Sequence, residues 1–397
     1  MHSVKLFAAI LALGATAVSG ASTCTKDVKV TEATPTIDCE VVDADIIIDE
    51  DVEGQVSIEG PKQVKGDFIV DGASKLISLS STSINSISGK FELKNLESLQ
   101  NLELSSLKNL GSLSFIKLPR LSQLNFGTEG VTKISGIRIT DTRITDLSGL
   151  SVATVDSFQI DNNRKMTSYN SDLVNITTEL LIFDNGNNMD ITMEKLEYAA
   201  EIQISSAKSF KVPALTEVSK SIKFNDNPQL TSFSAPNLTK VAQDVSFVDM
   251  NKLTNLSFPL LESIGGGLTI ENNTKLLAID DFPKLEKVGG GVSLRGSFEK
   301  VELPKLDAVT GTVLVTSTTD IKEFCKYFDD LKSSGAVDGE EKCTSNNKEA
   351  NKGGDGGEEA DGSSSSSDSS EEDAAGIVSV NMAVLALAGV AAVAQLF

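Results

Sequence analysis

The sequence predicts a mainly β chain wound as a parallel β-solenoid of about 13 rungs, with a disulfide-stapled cap at each end. Three observations predict it. An apolar-x-apolar pair recurs every 20 to 24 residues from Ile46 to Val313, with no copy missing. The segment FPLLESIGGGLTI, from Phe258, returns 24 residues later as FPKLEKVGGGVSL, from Phe282. The 4 cysteines lie outside these repeats, as Cys24 with Cys39 and Cys325 with Cys343. A period held over a whole domain marks stacked units that bury a common core.

Residues 1-20 (MHSVKLFAAILALGATAVSG) carry Lys5, an apolar run and then small residues. That is the layout of a cleaved secretory leader, and the run is too short to span a bilayer. Residues 21-45 form the N-terminal cap. In a secreted chain, two local cysteine pairs read as two disulfides, Cys24-Cys39 and Cys325-Cys343.

The solenoid occupies 46-316. Its anchors are Ile46/Ile48, Phe68/Val70, Phe91/Leu93, Leu113/Phe115, Ile137/Ile139, Phe158/Ile160, Leu181/Phe183, Ile202/Ile204, Ile222/Phe224, Val245/Phe247, Leu268/Ile270, Val292/Leu294 and Val313/Val315. The residue between anchors is polar in most rungs, so the anchors face the core and it faces water. Asn or Asp follows (Asp71, Asn95, Asp141, Asn162, Asn185, Asp226, Asp249, Asn272), as a turn requires. Eight residues after the first anchor comes a further apolar residue, such as Leu76, Met189 or Leu276. Asn163, Asn227 and Asn273 complete an LxLxxNxxL-like, leucine-rich pattern.

In five later rungs Pro-x-Leu precedes the corner (Pro213, Pro236, Pro259, Pro283, Pro304), which predicts a short extended return path and no helix. Gly265-Gly266-Gly267 and Gly289-Gly290-Gly291 stand where neighbouring rungs carry Ser219-Lys220-Ser221 and Ala242-Gln243-Asp244. No helix-forming segment or GK[ST] follows, so these glycines form a corner and not a phosphate cradle.

Residues 317-343 read as a C-terminal cap helix. Asp320 with Glu323 is placed to cap it, and Ile321, Phe324, Phe328 and Leu331 form its apolar face. Residues 344-373 are rich in Ser, Gly and acidic residues, too polar to offset their chain entropy, and read as a disordered stalk. Residues 374-397 end in the uncharged tail MAVLALAGVAAVAQLF. With small residues and a spacer before it, this is the layout of a GPI-attachment signal, with Asp373 or Ala374 as the attachment residue. A tail-anchored helix is the alternative.

The one histidine, His2, lies in the leader, so the mature chain has no histidine for acid-base chemistry, nucleophile pairing or metal binding. A net charge of -21 disfavours nucleic acid and anionic membrane surfaces. Four sequons, at Asn175, Asn237, Asn255 and Asn272, suit a secreted glycoprotein.

The combination of leader, cysteine pair, repeats with F-x-x-P-x-L and GGG entries, second cysteine pair, Ser-rich stalk and GPI tail resembles the fungal GPI-anchored cell-wall organisation proteins, the extracellular-mutant and sporulation-specific group. The resemblance covers essentially the whole chain. It implies a receptor L-domain-like leucine-rich fold, a place at the plasma membrane and in the cell wall, and a part in wall integrity. It brings no catalytic residues with it.

Two functional readings follow. One is a non-enzymatic scaffold without cofactor or metal, whose outward row Gln203, Lys223, Ser246, Thr269 and Ser293 meets wall glycans or mannoproteins while a GPI lipid holds the membrane. The other is a polysaccharide-modifying enzyme working through carboxylate pairs, with candidates Asp67 and Asp71, Asp161 and Asp184, and Asp244 and Glu271. The first is favoured, because these acids fall on solvated turns and strand edges and nothing points to a dry cleft. With 0 Trp, 3 Tyr and inward Phe anchors, platforms for stacking sugars are expected to be scarce. Calcium binding by the turn acids lacks any EF-hand or nonapeptide loop.

Overall fold

The turn from Val245 to Gly267 shows how the repeat is built. The strand Val245–Val248 buries Val245 and Phe247 and leaves Ser246 half-buried on the outside. Asp249 then takes φ 60° and turns the chain. After buried Met250 and Leu253 comes a second strand, Asn255–Ser257. Phe258-Pro259-Leu260-Leu261 reverses direction, closed by the Leu261 N–H donating to the Phe258 carbonyl at 3.2 Å. A third strand, Ser263–Ile264, leads to the glycine corner. One turn is therefore three short strands and three bends.

The computed structural model describes residues 21–352, and they stack into a parallel β-solenoid of about 13 turns with a disulfide near each end. The strand pairings are parallel, in regular register as at Ile222↔Val245, Val245↔Leu268 and Leu268↔Val292, and shifted by one residue at a few bulges. The first and third sides merge into one 24-stranded sheet, because strands such as Asn109–Leu118 run through the corner; the second side holds smaller sheets. Phenylalanines form ladders inside, for example Phe68, Phe91 and Phe115 at centroid distances of 5.2 and 5.3 Å, and Phe258 with Phe282 at 5.0 Å.

Positive φ falls two residues after the second anchor in turn after turn, at Asn95, Asp141, Asn162, Asp184, Asp226, Asp249 and Asn272. Short polar side chains tolerate that conformation best, which explains the Asn/Asp periodicity. The glycine corners answer to close approach instead. A Cβ on Gly290 would lie 2.7 Å from the Gly266 carbonyl carbon, and one on Gly311 would lie 2.6 Å from that of Gly290. The Gly290 N–H donates to the Gly266 carbonyl and the Gly311 N–H to the Gly290 carbonyl, at 2.8 and 2.9 Å. Those donors are spent between turns.

Several expectations change. The anchors expected at Leu181/Phe183 are Leu180 and Ile182, paired with Phe158 and Ile160. An extra residue between Ile176 and Glu179 bulges the strand, and a one-residue slip exchanges the two faces. In the run LLIF either parity looks apolar. Asn185 thus moves from the turn into the interior, and Asp184 takes the turn with φ 46°.

The prolines sit at the second position of tight turns. Leu215, Leu238, Leu261, Leu285 and Leu306 each donate to the carbonyl just before their Pro, so the fixed φ of proline serves the bend and not an extended run.

The sheet also begins before 46, with Thr23–Cys24 on Val41–Val42 and Val28–Val30 on Ile46–Ile48, and ends one strand later than expected, with Glu341–Thr344 on Val313–Ser317. Between these last two strands lies the helix Lys322–Ser334, which buries Phe324 and Phe328. Its N-cap is Ile321 with no side-chain bond. Asp320 is one position too early and accepts from the Lys322 N–H instead, while Ser345 Oγ takes the Ile321 N–H.

Cys24 is joined to Cys39 and Cys325 to Cys343. The folded part continues past 343 to Lys352: Ala350 is fully buried, and Asn351 donates to Ser297 Oγ at 2.7 Å. The leader 1-20, the rest of the expected stalk, and the GPI tail with Asp373 and Ala374 lie outside the described residues.

Candidate binding face

The outward side of the first strand in each turn makes the most continuous polar surface. Gln203, Lys223, Ser246, Thr269 and Ser293 are register partners in sequence, each half-buried, so the row expected from the repeats runs unbroken across five adjacent strands. Adjacent strands are about 4.8 Å apart, which makes the row roughly 19 Å long. Neighbouring side chains tie it down. Gln203 donates to Glu201 and Ser293 to Glu271, and Lys223 pairs with Glu201 at 3.8 Å.

Behind this face the turns are held by buried asparagines. Asn227 is fully buried; its Nδ2 donates to the Ile204 and Asn225 carbonyls at 2.9 and 3.0 Å, and its Oδ1 accepts from the Ala207 N–H at 2.9 Å. Asn273 does the same for Phe247 and Met250 of the preceding turn. Asn163 and Asn185 link to each other and to the Ile139 and Ile160 carbonyls. These amides carry backbone groups that water cannot reach, and so hold the outward row in place.

The carboxylates do not assemble a catalytic pair. Asp67 and Asp244 accept backbone N–H groups of the following turn, from Lys90 and Gly267. Asp184 accepts from Ser206 Oγ, and Glu271 from Ser293 Oγ. Burial would raise the Asp71 carboxyl, but hydrogen bonds from Lys94 and Asn95 and the Lys94 charge outweigh it and hold that carboxyl below its ordinary value. Asp161, only 8% exposed, accepts from Thr140, Gln159 and Asn162. Among the described residues, no group of three or more His, Cys, Asp or Glu could hold a metal ion.

An open groove of about 720 Å³ lies between Lys300–Val301 and the cap helix, walled by Glu299, Glu302, Asp320 and Glu323 with Tyr327 at its floor. Tyr327 is anchored by its hydroxyl, which donates to the Leu303 and Leu306 carbonyls.

The four sequon asparagines are all accessible and avoid the central outward row. Asn175 opens a strand on the third side, Asn237 lies in a Pro turn, Asn255 is on the second side, and Asn272 is at a bend.

Comparison with curated proteins gives 32% identity over 328 residues to Protein ecm33 of Aspergillus fumigatus, covering 77% of this chain and 75% of that protein. The chain belongs to the fungal ECM33 and sporulation-specific wall-protein family. Another member, Cell surface GPI-anchored protein ECM33 of Candida albicans, is 30% identical over 361 residues, covering 83% of this chain and 81% of its own. Sporulation-specific protein 2 of Saccharomyces cerevisiae is 29% identical over 290 residues, and there the match spans 57% of the relative's length. No family model matches the chain, and no solved structure matches it either.

Two outward residues escaped sequence reasoning, Leu181 and Phe183. Phe183, expected inside, is the partly exposed member of the described phenylalanines; the others are buried. The corner spacing could have found both, since the four-residue step from Val241 to Val245 and from Ile264 to Leu268, applied from Ile176, places the first anchor at Leu180.

Proposed function

We propose that the chain is a non-enzymatic glycoprotein of the fungal cell surface, secreted, held at the outer leaflet by a GPI lipid or incorporated in the wall, and acting as a rigid scaffold in wall organisation. The observation that carries this reading is the unbroken outward row from Gln203 to Ser293, set on a backbone locked by parallel pairing and buried asparagines. Its partners on this reading are wall glycans or mannoproteins. The sequons at Asn175, Asn237, Asn255 and Asn272 would put sugars on the other sides and bends, leaving the row clear for a partner. The acidic net charge of -21 argues against nucleic acid. Family membership supports the location, and carboxylates engaged in bonds between turns argue against hydrolysis.

The test is a set of bulky or charge-reversing changes along Gln203, Lys223, Ser246, Thr269 and Ser293 in a strain lacking the native gene. Wall-stress resistance should fall while secretion and melting temperature hold. Stable variants with full resistance would remove this face from the function. Phosphatidylinositol phospholipase should release the protein from membranes; retention with an intact C-terminal peptide ending at Phe397 would refute the lipid anchor.

A further inference from the structure

The strand Asn175–Phe183 carries two apolar side chains on its outward face, Leu181 and Phe183, about 6.7 Å apart as alternate residues of one strand. Half-buried aliphatic side chains also lie on this face, at Ile47, Ile69, Ile116, Val248 and Leu314, and Phe183 is the aromatic among them. In register beside Phe183, one strand away, is Asp161, and beside Leu181 are Gln159 on one side and Gln203 on the other.

Asp161 is unusual among the outward acids because it is nearly closed off from water yet has no cation. Its Oδ1 accepts from Thr140 Oγ1 and Gln159 Nε2, both at 2.9 Å, and its Oδ2 accepts from Asn162 Nδ2 at 3.2 Å. A carboxylate offers about four acceptor positions, so three are filled and one remains, on Oδ2. At the bend just after Phe183 a polar hollow of about 650 Å³ opens, lined in part by Arg164, Asp184, Asn187, Asn188, Ser206 and Gln229.

An aromatic face flanked by an oriented carboxylate and amides, leading into a hollow of hydroxyl, amide and guanidinium groups, has the two-sided chemistry of a pyranose. The sugar's C–H face can lie on the Phe183 ring. Its hydroxyls can exchange bonds with the accessible amides of Gln159 and Asn162, which Asp161 orients from behind.

A protein partner would be expected to need a larger anchor. Hot spots of protein interfaces sit in well-packed, desolvated pockets within some 800 Å² per partner, and half-buried apolar side chains scattered among polar ones along a sheet face do not supply that. A chain of net charge -21 also disfavours polyanions, so the ligand is a neutral polysaccharide.

We propose that Phe183, Asp161, Gln159 and the hollow at Asp184 form a binding site for sugar units of a neutral wall polysaccharide. This rests on the scaffold reading above and gives it a specific point of contact, N-terminal to the Gln203–Ser293 row on the same face.

The test is co-sedimentation of the full-length purified protein with insoluble β-1,3-glucan, chitin or immobilised α-mannan. Phe183→Ala should weaken binding to whichever polysaccharide is bound by about tenfold, the loss of some 1.4 kcal/mol. Phe183→Trp, which keeps an aromatic face, should retain it. Ile77→Ala, on the second side where the side chain is 41% exposed, should bind like the parent. Melting temperatures check that each variant is folded; should Phe183→Ala misfold, Gln159→Ala replaces it, with a loss in the same direction expected.

If folded Phe183→Ala binds the polysaccharide as the parent does, the site is wrong while the scaffold reading stands. If the parent sediments with none of the three, the sugar assignment is overturned, and wall-stress assays of the Gln203–Ser293 variants decide the scaffold reading independently. Capture of a wall protein that is lost in Phe183→Ala, with no polysaccharide bound, also overturns the assignment in favour of a protein ligand.

Discussion

Replacing Asn227 by Leu tests the idea that buried amides, and not only apolar ladders, hold the turns in register. The side chain is nearly isosteric, so little cavity forms and the loss is in hydrogen bonding. Asn227 is fully buried and makes three bonds to backbone groups: it donates to the Ile204 and Asn225 carbonyls and accepts from the Ala207 N–H. The Asn225 carbonyl belongs to a turn at the surface and water can replace its donor. The Ile204 carbonyl and the Ala207 N–H are left buried and unpaired, at about 1 to 3 kcal/mol each, which makes a loss of about 2 to 6 kcal/mol. Better apolar packing by Leu offsets part of it, so the expected value is about 3 kcal/mol. Denaturant unfolding of the purified full-length protein measures it. Asn225→Ala, two residues away and exposed, should stay within about 0.5 kcal/mol. An Asn227→Leu protein within 0.5 kcal/mol of the parent would refute the reasoning and reassign turn stability to the apolar ladders alone.

Three further outcomes are expected. Phe247→Ala should cost about 3 to 5 kcal/mol as a truncation in a fully buried ladder, while Ser246→Lys on the outward face should stay within about 0.5 kcal/mol; the reverse order would mean the strand faces are exchanged. Removing either disulfide by paired Cys→Ser changes should lower stability by about 3 kcal/mol, since each closes a loop of 15 or 18 residues, and unreduced peptide mapping should show no Cys24-to-Cys325 link. Glu341, on the last strand, has its carboxyl pushed above the ordinary 4.5, first by burial and then by nearby Asp329. The folded state therefore binds that proton more tightly than the unfolded chain, and stability from this group is lost as pH rises through the raised value. Glu341→Gln should accordingly stabilise at neutral pH, with a gain that shrinks towards pH 4.5, read from melting temperature against pH; a gain independent of pH would contradict it.

Much of this fold was legible because a solenoid repeats its instructions. A strand that buries one side writes its orientation as alternation, and thirteen copies average out the noise in any one. Val245, Leu268 and Val292 could be aligned from sequence alone, and they are register partners. Legibility failed where a single copy departed from the rule. In LLIF the alternation carries no parity, and the bulge before Leu180 adds one residue that spacing cannot separate from a longer loop. The caps failed differently. The first and last strands lack neighbours on one side, so their residues need not follow the repeat: Glu341 and Lys342 occupy a strand that reads as loop.

The candidate site was legible in the same uneven way. The row from Gln203 to Ser293 follows from periodicity, because position within the repeat dictates which way a side chain points. Phe183 was hidden by LLIF, where either parity reads as apolar and only the corner spacing decides the register. An exception to a repeat is either repaired by its neighbours or put to use. The buried repair here is complete: Leu180 and Ile182 fill the ladder between Phe158/Ile160 and Ile202/Ile204. The outward consequence is not repaired, because Leu181 and Phe183 remain partly exposed amid Gln159, Asp161 and Gln203. The extra residue serves the core, because without it Glu179 and not Leu180 would stand opposite the buried Phe158. The same shift decides which residues face the solvent: Glu179, Leu181 and Phe183, in place of Leu180 and Ile182. An aromatic ring on the working face is the difference between the two registers, and it is why the Phe183 variants probe function while their neighbours at 180 and 182 probe the fold.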